Sequence, residues 1–263
     1  MTGAHPDLDL AFALADLADR ETLRWWSPRG VAATAKADGS PVTAADVAAE
    51  EAVLAAVREA RPGDGVLGEE IGERPGTTGW RWIVDGIDGT RFFAAGLPTW
   101  GTLIALEEHG RIVLGLATSP AQDRRWWARR GEGAFTGSCS GRAGARRLRV
   151  SSPRELGPAR VVTLPGHDGL SVHARGVVEQ LAGGRPVDRA WSHQLAVAEG
   201  EVDLCVWFAG DVWDHAAPSV IVEEAGGRFT DHAGGARLDT RTAVYSNGAG
   251  HDEVLAVLRG ADG

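Results

Sequence analysis

Cysteine is nearly missing from this chain: only Cys139 and Cys205 occur in 263 residues. Neither a disulfide framework nor a cysteine-built zinc site is therefore expected, and a reducing cytoplasm is the expected setting. Positive charge is also in short supply, with 27 Lys and Arg against 36 Asp and Glu and a formal net charge of -9. That balance argues against a sequence-independent grip on a nucleic-acid polymer, which needs clustered cations, but it leaves room for a local pocket that takes a small anion. The surplus acid suits a cation site better. No run approaches the roughly 18–20 apolar residues of a membrane span. The opening "MTGAHPDLDLAFALADLADRETL" carries aspartates through its apolar positions and lacks the basic and continuous apolar regions of a signal peptide, so no targeting leader is expected. No G-x-G-x-x-G follows an early strand, which excludes a Rossmann-type dinucleotide enzyme, and the eight histidines show no HExxH-like spacing. There is no internal repeat and no long low-complexity tract. What remains is 43% hydrophobic and 24% charged, ordinary for one large or two small globular domains with a sizeable core.

The segment from Asp9 reads as an amphipathic helix, with Leu10, Leu14, Leu17 and Leu23 near helical spacing and Asp9, Asp16, Asp19 and Arg20 between them as a solvated face. "ATAKADGSPVTAAD" is turn chemistry up to Pro41; Thr43 or Asp46 then caps a helix that Pro62 and Gly63 end. "GVLGEE" reads as a short strand running into Glu69 and Glu70, and "WRWIVD" as a strand that stops at Asp85. "TWGTLIALEEHGRIVLGLATSP" predicts a hairpin about His109 and Gly110, with "RRWWARRGEGAF" as a third strand and turn, so this part is antiparallel. Beyond the Gly, Ser and Arg-rich stretch 137–147, strand-like and helix-like segments alternate ("ARVVTL", "LSVHARGVVEQLAG", "HQLAVAEG", "VDLCVW", "WDHAAPSVIVEEAGG", "TAVYSNG"), as in an α/β layer. A boundary is therefore expected near residue 150, between an N-terminal α+β half (1–150) and a C-terminal α/β half (151–263).

The chemistry concentrates in "WIVDGIDGT". A strand delivers Asp85 at its carboxyl end, and Asp88 follows a turn at the entrance to the next element. With Glu69, Glu70 and the Asp214 of "VWDHAAP", several hard oxygen donors gather at strand-to-helix junctions, the ligand type that Mg²⁺ favours. The competing reading of Asp88 and Asp214 is that each caps a helix. If a helix starts at Gly89-Thr90, its unpaired N–H groups face the carboxylates, so a phosphate could be held by metal on one side and by backbone on the other. Such a layout belongs to a phosphomonoesterase.

These residues resemble a known family. "WIVDGIDGTRFF" is similar to the first signature of the inositol monophosphatase family of Mg²⁺-dependent, lithium-sensitive phosphatases, W-x-x-D-P-I-D-G-T-x-x-F, and "VWDHAAPSVIVEEAGG" resembles the second. "GEE" and "KADGSPVTAAD" complete four motifs in the family order, spanning nearly the whole chain. "RPGDGVLGEE", "RRWWARRGEGAF" and "SNGAGHDEVL" resemble the actinobacterial histidinol-phosphate phosphatase branch more than others. The resemblance implies a layered α-β-α-β-α sandwich with the site between its halves, a homodimer, and two or three Mg²⁺ per site. It assigns Glu69, Asp85 and the Ile87 carbonyl to one ion, Asp85, Asp88 and Asp214 to a second, and Glu69 through water to a third. Thr90 and Asp46 match the pair that orients and deprotonates the attacking water, the amides of Gly89 and Thr90 match the phosphate cradle, Glu70 matches a water-holding carboxylate, and Lys36 lies on a loop near the metals. The implied substrate is L-histidinol phosphate, with a nucleotide or other aromatic phosphate second and myo-inositol phosphate third; a non-catalytic metal or phosphate sensor is the reading from another class.

Four departures bear on that assignment. Gly86 stands where the family has proline, which is expected to loosen the turn and weaken preorganisation of the metal site. Arg91 and Phe92 sit at the site rim, and Arg91 is either a surface cation or a substrate contact. Trp207 replaces a glutamate that contacts a substrate hydroxyl or amine in many relatives, and Trp191, Ser192 and His193 replace small residues. These two tryptophans either pack the core or present aromatic faces to an imidazole or nucleobase. His215 is read as packing rather than as a ligand, and Trp25, Trp26, Trp126 and Trp127 as packing or dimer surface.

Overall fold

The computed structural model describes residues 5–152, 161–164, 172, 176 and 191–260. Helices α1 (Pro6–Trp25) and α2 (Ala44–Ala60) flank a short hairpin of β1 (Thr34–Ala35) and β2 (Pro41–Val42). Strands β3 (Gly65–Gly68), β4 (Gly72–Arg74) and β5 (Trp80–Asp88) come next, then the single-turn α3 (Thr90–Ala94). An antiparallel series continues through β6 (Gly101–Glu108), β7 (Arg111–Ser119), β8 (Arg124–Arg129), β9 (Gly133–Gly137) and β10 (Arg146–Arg147). The remaining elements are β11 (Val161–Leu164), α4 (His193–Ala198), β12 (Leu204–Trp207), α5 (Val212–Glu224), β13 (Arg228–Thr230), β14 (Ala243–Ser246) and α6 (His251–Gly260). The helix expected over "LSVHARGVVEQLAG" lies almost wholly outside the described residues.

Among the described residues, eight strands form one sheet in the order β10-β9-β8-β7-β6-β5-β3-β4, and four form a second in the order β11-β12-β14-β13. Pairing is antiparallel except for β3 with β5 and β11 with β12. Successive side chains on a strand leave opposite faces, so a strand covered on both sides is apolar throughout. In β5, Trp82 and Val84 pack with α1 and α2, whereas Ile83 between them packs with α4 and α5. In β12, Cys205 joins that same inner cluster, while Leu204 and Val206 face α6. The order of layers is therefore helix, eight-stranded sheet, helix, four-stranded sheet, helix, the predicted α-β-α-β-α sandwich.

Two readings of α1 are corrected. Its buried seam is Leu8, Ala11, Phe12, Leu14, Ala15, Ala18 and Thr22, with Leu23 exposed, because α1 lies close enough to the sheet for alanines to fill the contact. Nor is its acidic face wholly solvated. Asp19 is buried and accepts hydrogen bonds at Oδ2 from Arg125 Nη2 (2.5 Å) and Thr118 Oγ1 (3.0 Å). The tryptophans divide: Trp127 meets Phe12 at 5.1 Å, Trp126 faces the inner layer, Trp26 meets Trp100, and Trp25 is exposed.

Candidate active site

Strand β5 does not stop at Asp85. It runs to Asp88 across an irregularity: Asp85 pairs with Leu103 and Asp88 with Gly101, so three steps on β5 oppose two on β6. In a regular strand, residues three apart point to opposite faces. One extra residue at a bulge cancels that offset and re-aims the side chain, and both carboxylates reach the same side of the sheet. There they meet Asp214 from the first turn of α5, and one ligand oxygen from each of the three lies within 4.8 Å of the others. Asp214 is cap and cluster member together, since its Oδ2 also accepts the Asp211 N–H at 2.6 Å. Asp88 is no cap of α3, whose N-cap is Gly89 in the left-handed region (φ 89°).

Burial is the main reason these carboxyls resist ionisation. Asp214 is pushed up to about 8 by burial and then by Asp88, and Asp88 to about 6 by burial and Glu69 against the pull of the Trp191 indole. Asp85 is raised well above its usual range by burial, then by Glu69, Asp88 and Asp214. Crowded, desolvated oxygens of one sign, with no cationic side chain hydrogen-bonded to any of these three aspartates among the described residues, are the donor set that a divalent cation fits.

Glu69 lines the same cavity, and its Oε1 accepts a 2.6 Å hydrogen bond from Lys36 Nζ. Lys36 also pairs with Glu70; desolvation opposes its charge, but these two carboxylates outweigh that and hold the ammonium above its ordinary value. Glu70 is not among the cavity-lining residues. One residue escaped sequence reasoning altogether. Glu50, 1% exposed, accepts the N–H of Glu70 (2.9 Å), Ile71 (3.0 Å) and Gly86 (3.3 Å), tying the ends of β3 and β5 together. The available signal was its position four residues after Asp46, one turn along the same face of α2.

Gly86 is correspondingly not a loose turn. It is buried, its N–H goes to Glu50, its carbonyl accepts Thr102 Oγ1 at 2.8 Å, and a Cβ there would stand 2.7 Å from the Asp46 carbonyl oxygen. Close packing of α2 against the bulge holds this residue in β5, which corrects the expectation of a loose turn.

Thr43 caps α2 and shares a reciprocal box with Asp46: Asp46 Oδ2 accepts the Thr43 N–H (2.8 Å) and hydroxyl (2.5 Å). The other oxygen, Oδ1, is 2.9 Å from Thr90 Oγ1, and the same hydroxyl is 3.0 Å from the Ile87 carbonyl. A threonine hydroxyl has one proton and two lone pairs. Donating to Asp46, it is left able to accept from a water.

The converging carboxylates and Thr90 border a cavity of about 450 Å³ whose lining includes Glu69, Asp85, Ile87, Asp88, Gly89, Thr90 and Asp214 together with Arg91, Phe92, Trp191, Ser192, His193 and Trp207. Every residue expected at the metals, phosphate or substrate is thus in the lining, whereas Asp46 acts from behind Thr90. Arg91 is exposed at the rim with its guanidinium 4.5 Å from the Phe92 ring centroid. Ser192 is held at φ 60°, a rare conformation for a residue with a side chain. Trp207 meets His215 edge to face at 5.2 Å, and His215 bonds to Tyr245 at Nδ1 (3.0 Å), so His215 is packed behind the cavity and is not in its lining. Burial, then His232, pushes that imidazole down to about 4. Because α3 is a single turn, any anion held here by Gly89 and Thr90 is bound by local amides rather than by a long helix dipole.

The layered sandwich and its carboxylate-floored cavity define a class: residues 7–261 match the Inositol monophosphatase family, to which the chain belongs. It is 44% identical over 97% of its length, and 98% of the relative's, to "Histidinol-phosphatase" of Mycobacterium tuberculosis. The protein of the same name from Streptomyces coelicolor is 41% identical, with 96% of each chain covered. Among solved structures, the extragenic suppressor protein suhB of Bartonella henselae superposes with a TM-score of 0.83 at 29% identity, covering 97% of this chain and 99% of that one. The chain is a phosphoric monoester hydrolase of this family.

Proposed function

We propose that this enzyme hydrolyses L-histidinol phosphate with the aid of Mg²⁺, and that its cytoplasmic form is a lithium-sensitive homodimer. One observation carries the metal-dependent reading: Asp85, Asp88 and Asp214 converge within 4.8 Å on the floor of a cavity large enough for a small monoester. Glu69, Asp85, Ile87, Asp88 and Asp214 would hold two or three ions. When bound, such ions neutralise phosphoryl oxygens, lower the pKa of water and stabilise the leaving oxygen. The chain's own part is to place the reactants. Thr90 Oγ1 takes a proton from the attacking water as it passes its own to Asp46 Oδ1, and the Thr43 box keeps that carboxylate oriented. Gly89 and Thr90 amides receive the phosphate. Lys36 keeps Glu69 and Glu70 poised beside the site, where Glu70 steadies solvent.

The two actinobacterial relatives named histidinol-phosphatase support the substrate, as does an aromatic wall of Phe92, Trp191 and Trp207 suited to an imidazole face. Trp207 favours one second reading, a nucleotide or other aromatic phosphate, because a flat face in place of a carboxylate does not select for an ammonium group. myo-Inositol phosphate stands third. The change of sheet between β10 and β11 supports a boundary near residue 150 between two halves. Phosphate release from a panel of monoesters, with Mg²⁺ and with chelator, tests the reading: histidinol phosphate should give the highest kcat/KM, and a preference for nucleotides would replace it by the second reading.

A further inference from the structure

The indole N–H of Trp191 points not at the open cavity but at a carboxylate: Nε1 donates to Asp88 Oδ2 at 2.7 Å. Its ring is seated at the β5 bulge. A Cβ on Gly101, the residue paired with Asp88, would fall 2.3 Å from the Trp191 ring, and one on Gly89 would lie 3.5 Å from it. Behind it, Trp126 packs at a centroid distance of 5.7 Å and is itself held by a 2.7 Å hydrogen bond from its Nε1 to Glu199. Glycine at 101 is thus the condition for the ring to reach Asp88, whereas the approach to Gly89 is ordinary contact, and Trp126 backs the ring in that place.

We propose that Trp191 is a positioning residue for a metal-binding carboxylate, fixing the rotation of Asp88 so that its remaining lone pairs face Asp85 and Asp214. This rests on the reading that the three aspartates hold a divalent cation. An aspartate side chain turns easily about its last bond, and a cation needs its oxygens oriented before it binds. An indole N–H is a donor with no acceptor capacity, so it holds one carboxylate oxygen without competing for the cation. Hydrogen-bond partners behind a metal ligand act in this way and change metal affinity by about 10–100-fold when lost. Trp191 is therefore more than the substrate-facing aromatic that the sequence predicts.

The test is a titration of metal-free protein with Mg²⁺ alone, read by the rise in Tm, beside steady-state kinetics. Trp191→Phe keeps a ring of similar shape and loses the N–H. The expected result is an Mg²⁺ half-saturation raised about 10–100-fold. An unchanged half-saturation with a raised KM for the monoester overturns the proposal and leaves Trp191 as cavity wall. Should the phenylalanine variant fail to fold, W191Q and W191M give the same readout: glutamine retains an N–H donor and should bind Mg²⁺ more tightly than methionine, and equal affinities overturn the proposal. Asp88→Asn separates the premise from the inference, because a wild-type Mg²⁺ response in that variant removes Asp88 from the metal site altogether.

Discussion

Thr90 Oγ1 stands 2.9 Å from Asp46 Oδ1, joining the start of α3 to the first turn of α2 across 44 residues of chain. Thr90 lines the cavity and Asp46 stands behind it, and burial, partly offset by the Thr43 and Thr90 hydrogen bonds, raises the Asp46 carboxyl. Replacing Thr90 by alanine should lower kcat by about 10²–10⁴-fold, and Asp46→Asn should do the same. Neither change should abolish the Mg²⁺-dependent rise in Tm. Near-normal kcat in T90A would remove the relay from the reaction.

Gly86 is packed from both sides, so even the smallest addition should be felt. G86A brings a Cβ to 2.7 Å from the Asp46 carbonyl and 3.1 Å from Glu50 Cγ, an overpacking that costs about 1–3 kcal/mol. Calorimetry should show a lower Tm, and Mg²⁺ half-saturation should rise because Asp85 and Asp88 flank the residue. Unchanged values in both would restore the loose turn expected from glycine.

How far the sequence reveals this site depends on what each residue type announces. Asp85, Asp88, Asp214 and Thr90 were legible because ordered motifs carry them, and the β-rich run "WRWIVD" announced a strand, though not that Trp82, Ile83 and Val84 are all buried in it. The bulge was not. Nothing in "VDGIDG" separates a strand that ends at Asp85 from one that slips by one residue and continues to Asp88, since the difference lies in register with Gly101. Glu50 and Asp19 were missed for a common reason: a carboxylate on an amphipathic helix is ordinarily solvated, and only tertiary packing supplies three backbone amides to one and Arg125 to the other. Trp191 was expected at the cavity, and it is there, but the direction of its N–H is a matter of side-chain geometry.

Arg125 is 1% exposed and draws on Asp19 at 2.5 Å and Asp16 at 2.7 Å. The two aspartates are not equivalent, because Asp19 is buried while Asp16 is half exposed. Asp19→Ala leaves a buried guanidinium undercompensated and should cost about 3 kcal/mol, a fall in Tm of roughly 6–12 °C. Asp16→Asn should cost under about 1 kcal/mol. Equal losses in the two variants would contradict the ranking.

His251 governs an acid limb of stability. Buried beneath β14, it is bonded to Ser246 Oγ at Nδ1 (2.8 Å) and to Thr230 Oγ1 at Nε2 (2.9 Å), and burial, then Arg228, pushes it from 6.5 down to about 4. The folded state therefore favours the neutral ring, whereas the unfolded chain takes up its proton near the ordinary value. Its contribution is present above pH 6.5 and is lost as pH falls from there through about 4. Urea midpoints across that window should fall for the wild type and fall less steeply in His251→Asn, the remaining slope including His215, which burial also holds down to about 4; parallel slopes would clear His251 of the effect.

The most direct measurement of the central claim is phosphate release from histidinol phosphate by wild-type enzyme and by Asp88→Asn, each with Mg²⁺ and with chelator. Wild type should turn over only with Mg²⁺, and D88N should lose turnover together with its Mg²⁺-dependent rise in Tm. Full Mg²⁺-dependent activity in D88N, or turnover by wild type that chelation leaves untouched, would contradict a reaction built on the three converging aspartates.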